Sequence, residues 1–224
     1  MRKKYARNIG TITIEEQDFL MQKSVCIIGC GGLGGGVIEN LVRMGVGKLT
    51  VVDGDVFDET NLNRQVFSNE NNIGKCKAEE VAAQISMINS ETEVQPITTL
   101  LDQTNVEEII ANHDIVVDAL DNIVARLTLE KACEELNMPF VHGAINGWNG
   151  QVAVVMPGSK IISKLYESVD CDNETATNPS FTPAVVSAIQ AAEVIKVLLD
   201  KEEALINKLL IIDLLNHEYE VITF

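Results

Sequence analysis

The chain has 224 residues, enough for one domain with a sizeable buried core. Hydrophobic residues are 46% and charged residues 22%, an ordinary globular balance, and no run of about 18 apolar residues is present to span a membrane. With 17 Lys and Arg against 33 Asp and Glu the formal net charge is −16, so the surface repels nucleic acid and other polyanions unless its basic residues are segregated.

The N-terminus, Met1-Arg2-Lys3-Lys4-Tyr5, is basic but no apolar signal core follows it, and we expect a cytoplasmic protein with no membrane partner. Residues 1–12 read as an arm. Thr13-Ile14-Glu15-Glu16 has capping-box spacing and opens a short helix to about residue 22, so 1–23 form an arm and helix ahead of the rest. An apolar strand at 24–29 then enters Gly29-Cys30-Gly31-Gly32-Leu33-Gly34, and a helical pattern at 35–44 leaves it. A strand, a glycine turn and a helix start together make a phosphate-binding device. Gly29 permits the tight turn, Gly31 lets the backbone approach phosphates, and Gly34 lets the helix sit close to the sheet. The freed N–H groups and the helix dipole favour an anion. A second strand at 48–53 ends at Asp53, where a carboxylate can accept hydrogen bonds from ribose hydroxyls.

Residues 54–74 are polar and rich in Asp and Asn, a long irregular stretch of the kind that is often functional. A helix at 75–89 buries Ala78, Val81, Ala82, Ile85 and Ile88, which recur at helical spacing. A strand at 93–98, a helix near 105–111 and a short apolar strand at 115–117 follow, the last running into Asp118, Asp121 and Asn122. The helix at 123–137 leads to a strand at 140–142, where His142 reads as a satisfied core or loop histidine. Beyond it we expect a strand at 151–156, a loop at 157–181, a helix from Thr182-Pro183 to about 199, and an antiparallel pair at 209–214 and 218–222. The fold class is α/β and Rossmann-like: a mainly parallel sheet with helices on both faces and C-terminal antiparallel strands, in one domain over 1–224. Five cysteines at irregular spacing, with no Cys-x-x-Cys pair, support neither a disulfide framework nor a four-cysteine zinc site. Cys26 and Cys133 read as small core residues.

Ligands of a parallel sheet bind outside the carboxyl ends of its strands. Those ends should bring together Gly32, Asp53, Arg64, Lys77 and Asp121. Arg64 and Lys77 supply the local positive charge that an anionic chain needs in order to hold a nucleotide. A carboxylate such as Asp121 can hold Mg²⁺ while phosphate oxygens fill other positions. Asp121 is equally well placed to cap the following helix. The set suits phosphoryl or nucleotidyl transfer better than hydride transfer.

The chain resembles the ThiF/MoeB/HesA family, relatives of ubiquitin-activating enzymes. The stretches that carry the resemblance are 29–34, 52–55, 61–65 (Asn-Leu-Asn-Arg-Gln), 74–77 (Gly-Lys-Cys-Lys), 118–122, 143–152 and 183–198. The resemblance implies adenylation: the C-terminal glycine carboxylate of a small ubiquitin-like sulfur carrier, ending in Gly-Gly, attacks the α-phosphorus of ATP and pyrophosphate leaves. It implies nucleotide contacts from Gly29, Gly31, Gly32, Gly34, Asp53, Asp55, Asn61, Arg64, Gln65, Lys77, Asp121 and Asn122. It implies Mg²⁺ on Asp121, and a homodimer in which Arg7 of the arm reaches the neighbouring subunit's ATP. Trp148 and Asn149 look structural or line the carrier groove. Many relatives hold zinc through two Cys-x-x-Cys pairs, which are missing here, so we expect no zinc. Some carry a reactive cysteine before the Pro183 helix; that place falls near Thr175, and Cys171 is close without aligning. Whether Cys171 is reactive or inert stays open, as does the pathway: thiamine, molybdenum cofactor, cysteine or peptide modification. Two alternatives remain. An NAD-dependent oxidoreductase would share the glycine turn and Asp53, and a non-catalytic nucleotide-binding subunit would share the whole cavity.

Overall fold

Val25, Cys26, Ile27 and Ile28 are apolar without alternation, as a strand covered on both faces requires. In the computed structural model, which describes residues 2–167 and 177–224, they form β1 (Ser24–Ile28) at the heart of an eight-stranded sheet. The other strands are β2 (Lys48–Val52), β3 (Glu93–Ile97), β4 (Ile115–Asp118), β5 (Phe140–Asn146), β6 (Asn149–Val155), β7 (Lys208–Asp213) and β8 (Glu218–Thr223). Their order is β3-β2-β1-β4-β5-β6-β7-β8. The first five are parallel, with Ile27 opposite both Val51 and Val117. The last three are joined antiparallel. Pro96, which donates no ladder hydrogen bond, sits where it is tolerated, on the edge strand β3.

The helices are α1 (Ile14–Leu20), α2 (Gly32–Met44), α3 (Lys77–Ile88), α4 (Val106–Ile110), α5 (Ile123–Glu135), α6 (Ile161–Leu165) and α7 (Phe181–Leu198). They divide between the two faces. Leu20, Val37, Leu41, Val81, Ile85, Val186 and Val194 of α1, α2, α3 and α7 pack on Val25, Ile27, Val117, Val141 and Val152. Ile109, Leu129, Cys133, Ile161 and Ile162 of α4, α5 and α6 pack on Cys26, Ile28, Val116, Phe140 and Ala153. Cys26 and Cys133 are the core residues expected, and burial pushes both thiols far above the ordinary range. The capping box at Thr13 forms as its spacing predicts, with Glu16 N–H donating to Thr13 Oγ1 and Thr13 N–H to Glu16 Oε2. By length and composition α7 could cross a membrane, but here half of it is buried, with Val186, Gln190 and Val194 in the interior.

Three departures from expectation are larger than two residues. Helix α2 begins at Gly32 rather than residue 35, because the glycine turn is itself the first helical turn and Gly31 its N-cap. Strand β5 runs to Asn146, four residues past the apolar stretch, and turns through Gly147 and Trp148 into β6. Gly147 takes φ +58°, which its lack of Cβ permits. The short helix α6 lies inside the stretch expected to be loop, with Ile161 and Ile162 fully buried.

Candidate nucleotide-binding site

Because β2 and β4 lie on opposite sides of β1, the chain diverges at the β1–β4 carboxyl ends and leaves a crevice there. A cavity of about 740 Å³ occupies it, within the range of small-ligand sites. Gly29, Gly31, Gly32, Asp53, Asp55, Arg64, Gln65, Lys77, Asp121 and Asn122 line it, so ten of the expected contacts share one cavity.

Gly29 has φ +101°, and a Cβ there would stand 2.7 Å from Ala119 O on the neighbouring strand end. At Gly34 a Cβ would fall 1.7 Å from Gly29 O; this glycine is needed by the fold and lies outside the wall. Gly31 differs, since a Cβ there would meet only Gln65, at 3.6 Å. Its bare backbone instead keeps the mouth of α2 open to a ligand. Asp53 ties the turn to the tip of β2, accepting from Cys30 N–H through Oδ2 and from Asp55 N–H through Oδ1, both at 2.8 Å. The Cys30 thiol is inert, driven well above its ordinary range by burial and by Asp53.

The irregular stretch after β2 folds back over the glycine turn. Arg64 donates to Thr60 O at 2.9 Å and to Asn63 Oδ1 at 2.8 Å, and its Cγ lies beside Gly32. Lys77 opens α3 with its side chain only 9% exposed, and Nζ is 3.2 Å from Asp55 Oδ2. Gln65 is buried against the cavity and its Oε1 has no hydrogen-bond partner. Asn61 does not reach the wall. It is buried, its Oδ1 accepts from Asp58 N–H at 3.1 Å, and it holds the turn that carries Arg64.

On the far wall Asn122, not Asp121, caps α5: its Oδ1 accepts from Ala125 N–H at 2.8 Å. That leaves Asp121 an exposed carboxylate with no hydrogen bond or ion pair among the described residues. Sequence reasoning missed residues 99–104, which close the cavity's outer side with Leu100, Leu101 and Asp102. A signal was present. Asp58-Glu59-Thr60-Asn61 and Asp102-Gln103-Thr104-Asn105 are the same Asp-x-Thr-Asn turn. In each, the Asp accepts from the Thr amide and hydroxyl, and the Asn accepts from the Asp amide. These bonds hold both Asp carboxyls below the ordinary carboxylate range, the Thr hydroxyl contributing most. Also unforeseen were Arg126 and Asn178 in the wall.

Arg7 does not line the cavity. The arm packs at the opposite end of the sheet, where the buried Tyr5 covers Gly45 and its hydroxyl accepts from Asn89, just ahead of β3. Arg7 is exposed there. Cys171 and the place near Thr175 lie outside the described residues. His142 is fully buried, and its Nδ1 is 2.6 Å from Asp118 Oδ2.

Among the described residues, three cations (Arg64, Lys77, Arg126) and four carboxylates (Asp53, Asp55, Asp102, Asp121) line the cavity. That wall cannot by itself neutralise a triphosphate. A divalent cation arriving with the phosphates would correct the balance, and the unpaired Asp121 fits it.

A model of the ThiF family matches residues 5–224. The chain belongs to the ThiF family. It is 36% identical over 230 residues to the SAMP-activating enzyme E1 of Haloferax volcanii, covering 99% of this chain and 84% of that one. It is 32% identical over 219 residues to the molybdopterin-synthase adenylyltransferase of Haemophilus influenzae, covering 94% and 89%. Some other curated relatives are longer, and this ThiF-family chain spans about half of their length. Among solved structures, E. coli MccB with ATP superposes with a TM-score of 0.88 at 26% identity, covering all of this chain and 71% of that one.

Proposed function

We propose that this protein is an ATP-dependent adenylyltransferase that activates the C-terminal glycine carboxylate of a small ubiquitin-like carrier protein. The observation that carries the reading is the single cavity joining the open glycine turn, Arg64 and Lys77 on one wall with the unpaired Asp121 on the other. ThiF-family relatives named as a SAMP-activating enzyme E1 and a molybdopterin-synthase adenylyltransferase support the reaction class and make this chain a nucleotidyltransferase rather than an NAD-dependent oxidoreductase. The intact cations and Asp121 likewise speak against a non-catalytic subunit.

In this reading the α2 N-terminus and Gly31 take the phosphates, and Asp53 accepts from the ribose hydroxyls through the lone pairs that Cys30 and Asp55 leave free. Arg64, Lys77 and Gln65 hold the phosphate oxygens, while Asn61 and Asn122 fix the loops that carry the contacts. Asp121 would hold Mg²⁺, which supplies charge neutralisation when bound. A carrier carboxylate oxygen forms a bond to the α-phosphorus, and the bond to the bridging oxygen breaks. Pyrophosphate leaves with that electron pair, and the product is an acyl-adenylate. The protein needs no nucleophile of its own; it aligns the two substrates and stabilises the charge developing on the leaving group. Because Arg7 stands at the other end of the sheet, it can serve a site only in a second subunit, which fits a homodimer. We place the enzyme in the cytoplasm, acting without zinc or nucleic acid, on a carrier of thiamine or molybdenum-cofactor type.

ATP–pyrophosphate exchange tests the proposal. Exchange should appear only when a diglycine-ending carrier is added. Protein that binds ATP yet exchanges with no cognate carrier would overturn it.

A further inference from the structure

Behind the Asp121 wall five side chains close a ring inside the protein. Asp118 Oδ2 accepts from His142 Nδ1 at 2.6 Å, and His142 Nε2 lies 3.3 Å from Gln151 Nε2. Gln151 Nε2 donates to the Tyr166 hydroxyl at 3.0 Å, and Arg126 Nη1 donates to the same oxygen at 2.6 Å. Arg126 Nε stands 3.9 Å from Asp118 Oδ2, an ion pair and not a hydrogen bond, since Nε is buried without a hydrogen-bond partner; the circuit is closed by charge alone. The members come from β4, β5, β6, α5 and the end of α6. Asp118 and His142 are fully buried, and Arg126 is nearly so.

Since Gln151 Nε2 is a donor, His142 Nε2 accepts and its proton sits on Nδ1, facing Asp118. The Asp118 carboxylate is thereby fixed, and its other oxygen, Oδ1, accepts from Leu120 N–H at 3.0 Å. Arg126 Nη2 donates to Leu120 O at 2.6 Å. The ring therefore grips Leu120 at both its amide hydrogen and its carbonyl oxygen. Leu120 O belongs to the peptide group that leads directly into Asp121. Burying the charged Asp118 and Arg126 is costly, and what the two hold together is one backbone position, Leu120.

We propose that Arg126, Tyr166, Gln151 and His142 are positioning residues that set Asp121 for a divalent cation arriving with ATP. This rests on the adenylation reading, in which Asp121 holds Mg²⁺. Supports that orient a metal ligand typically change metal affinity by about 10- to 100-fold when removed.

The test is calorimetric affinity for a non-hydrolysable ATP analogue, measured with Mg²⁺ and with chelator. Wild type should bind more tightly with Mg²⁺. Tyr166→Phe, which takes away the oxygen shared by Arg126 and Gln151, should lose about tenfold of that gain and leave the chelator affinity unchanged. In an Asp121→Asn background, Tyr166→Phe should add nothing, because both act through one group. Should Tyr166→Phe not fold, Gln151→Met, which removes the donor to His142 and Tyr166 at a position outside the cavity lining, should give the same pattern. Full retention of the Mg²⁺ gain, or an equal loss with and without Mg²⁺, overturns the positioning role. A wild type with no Mg²⁺ gain overturns the parent reading of Asp121 and this inference with it.

Discussion

Two glycines three positions apart do different work, and substitution separates them. A Cβ at Gly34 would overlap the Gly29 carbonyl oxygen, so Gly34→Ala should lower stability by at least about 3 kcal/mol, at the severe end of overpacking. A Cβ at Gly31 has room against the protein, so Gly31→Ala should change stability by no more than about 0.5 kcal/mol. The same methyl would stand where the backbone meets phosphate. ATP affinity should then fall by about tenfold or more, the cost of losing a charge-assisted hydrogen bond. Chemical denaturation and calorimetric titration read the two effects. A Gly31→Ala protein that binds ATP normally would remove the phosphate-approach role.

At the level of elements, the two Asp-x-Thr-Asn turns are the supports of the cavity's outer loops. Asp58 and Asp102 are held below the ordinary carboxylate range in the folded protein. Each therefore contributes stability that is present above its unfolded pKa and is lost as the pH falls through its lowered folded value. Carboxyl carbon shifts should show both titrating below about 3.8, the ordinary aspartate value. Titration at or above that value would mean that the turns do not hold in solution. The paired turns also show where sequence legibility ended. The β1–glycine turn–α2 unit, Asp53 and the α3 stripe were readable because each is written in local periodicity and glycine placement. The 99–104 wall was not, since its position depends on which strand β3 pairs with. Asn61 was expected in the cavity on resemblance, and it faces inward because its amide is used up in closing a turn. Strand β5 continued past its apolar residues because Gly143 fits beneath Gln190 of α7, a tertiary contact that no local pattern announces. The ring through His142 was legible only as a satisfied histidine; its partners come from four other elements.

The molecule as a whole carries a net charge of −16 yet keeps Arg64, Lys77 and Arg126 around one cleft, while Arg7 is stationed at the far end of the sheet. If Arg7 completes a neighbour's site, Arg7→Ala and Asp121→Asn should each be nearly inactive alone and should complement when mixed. Random exchange makes half of the dimers mixed, each with one intact site, so activity should recover to about a quarter of wild type. Absence of recovery in subunits shown to exchange would exclude the lent arginine. The central claim, that these side chains grip a magnesium-bound triphosphate, is tested most directly by a crystal structure with Mg²⁺ and a non-hydrolysable ATP analogue. The account predicts the phosphates at the N-terminus of α2, Lys77 Nζ shifted from Asp55 onto a phosphate oxygen, Arg64 beside it, and Asp121 on the metal. Phosphates bound elsewhere, with Lys77 still on Asp55 and Arg64 still on Thr60 O, would contradict it.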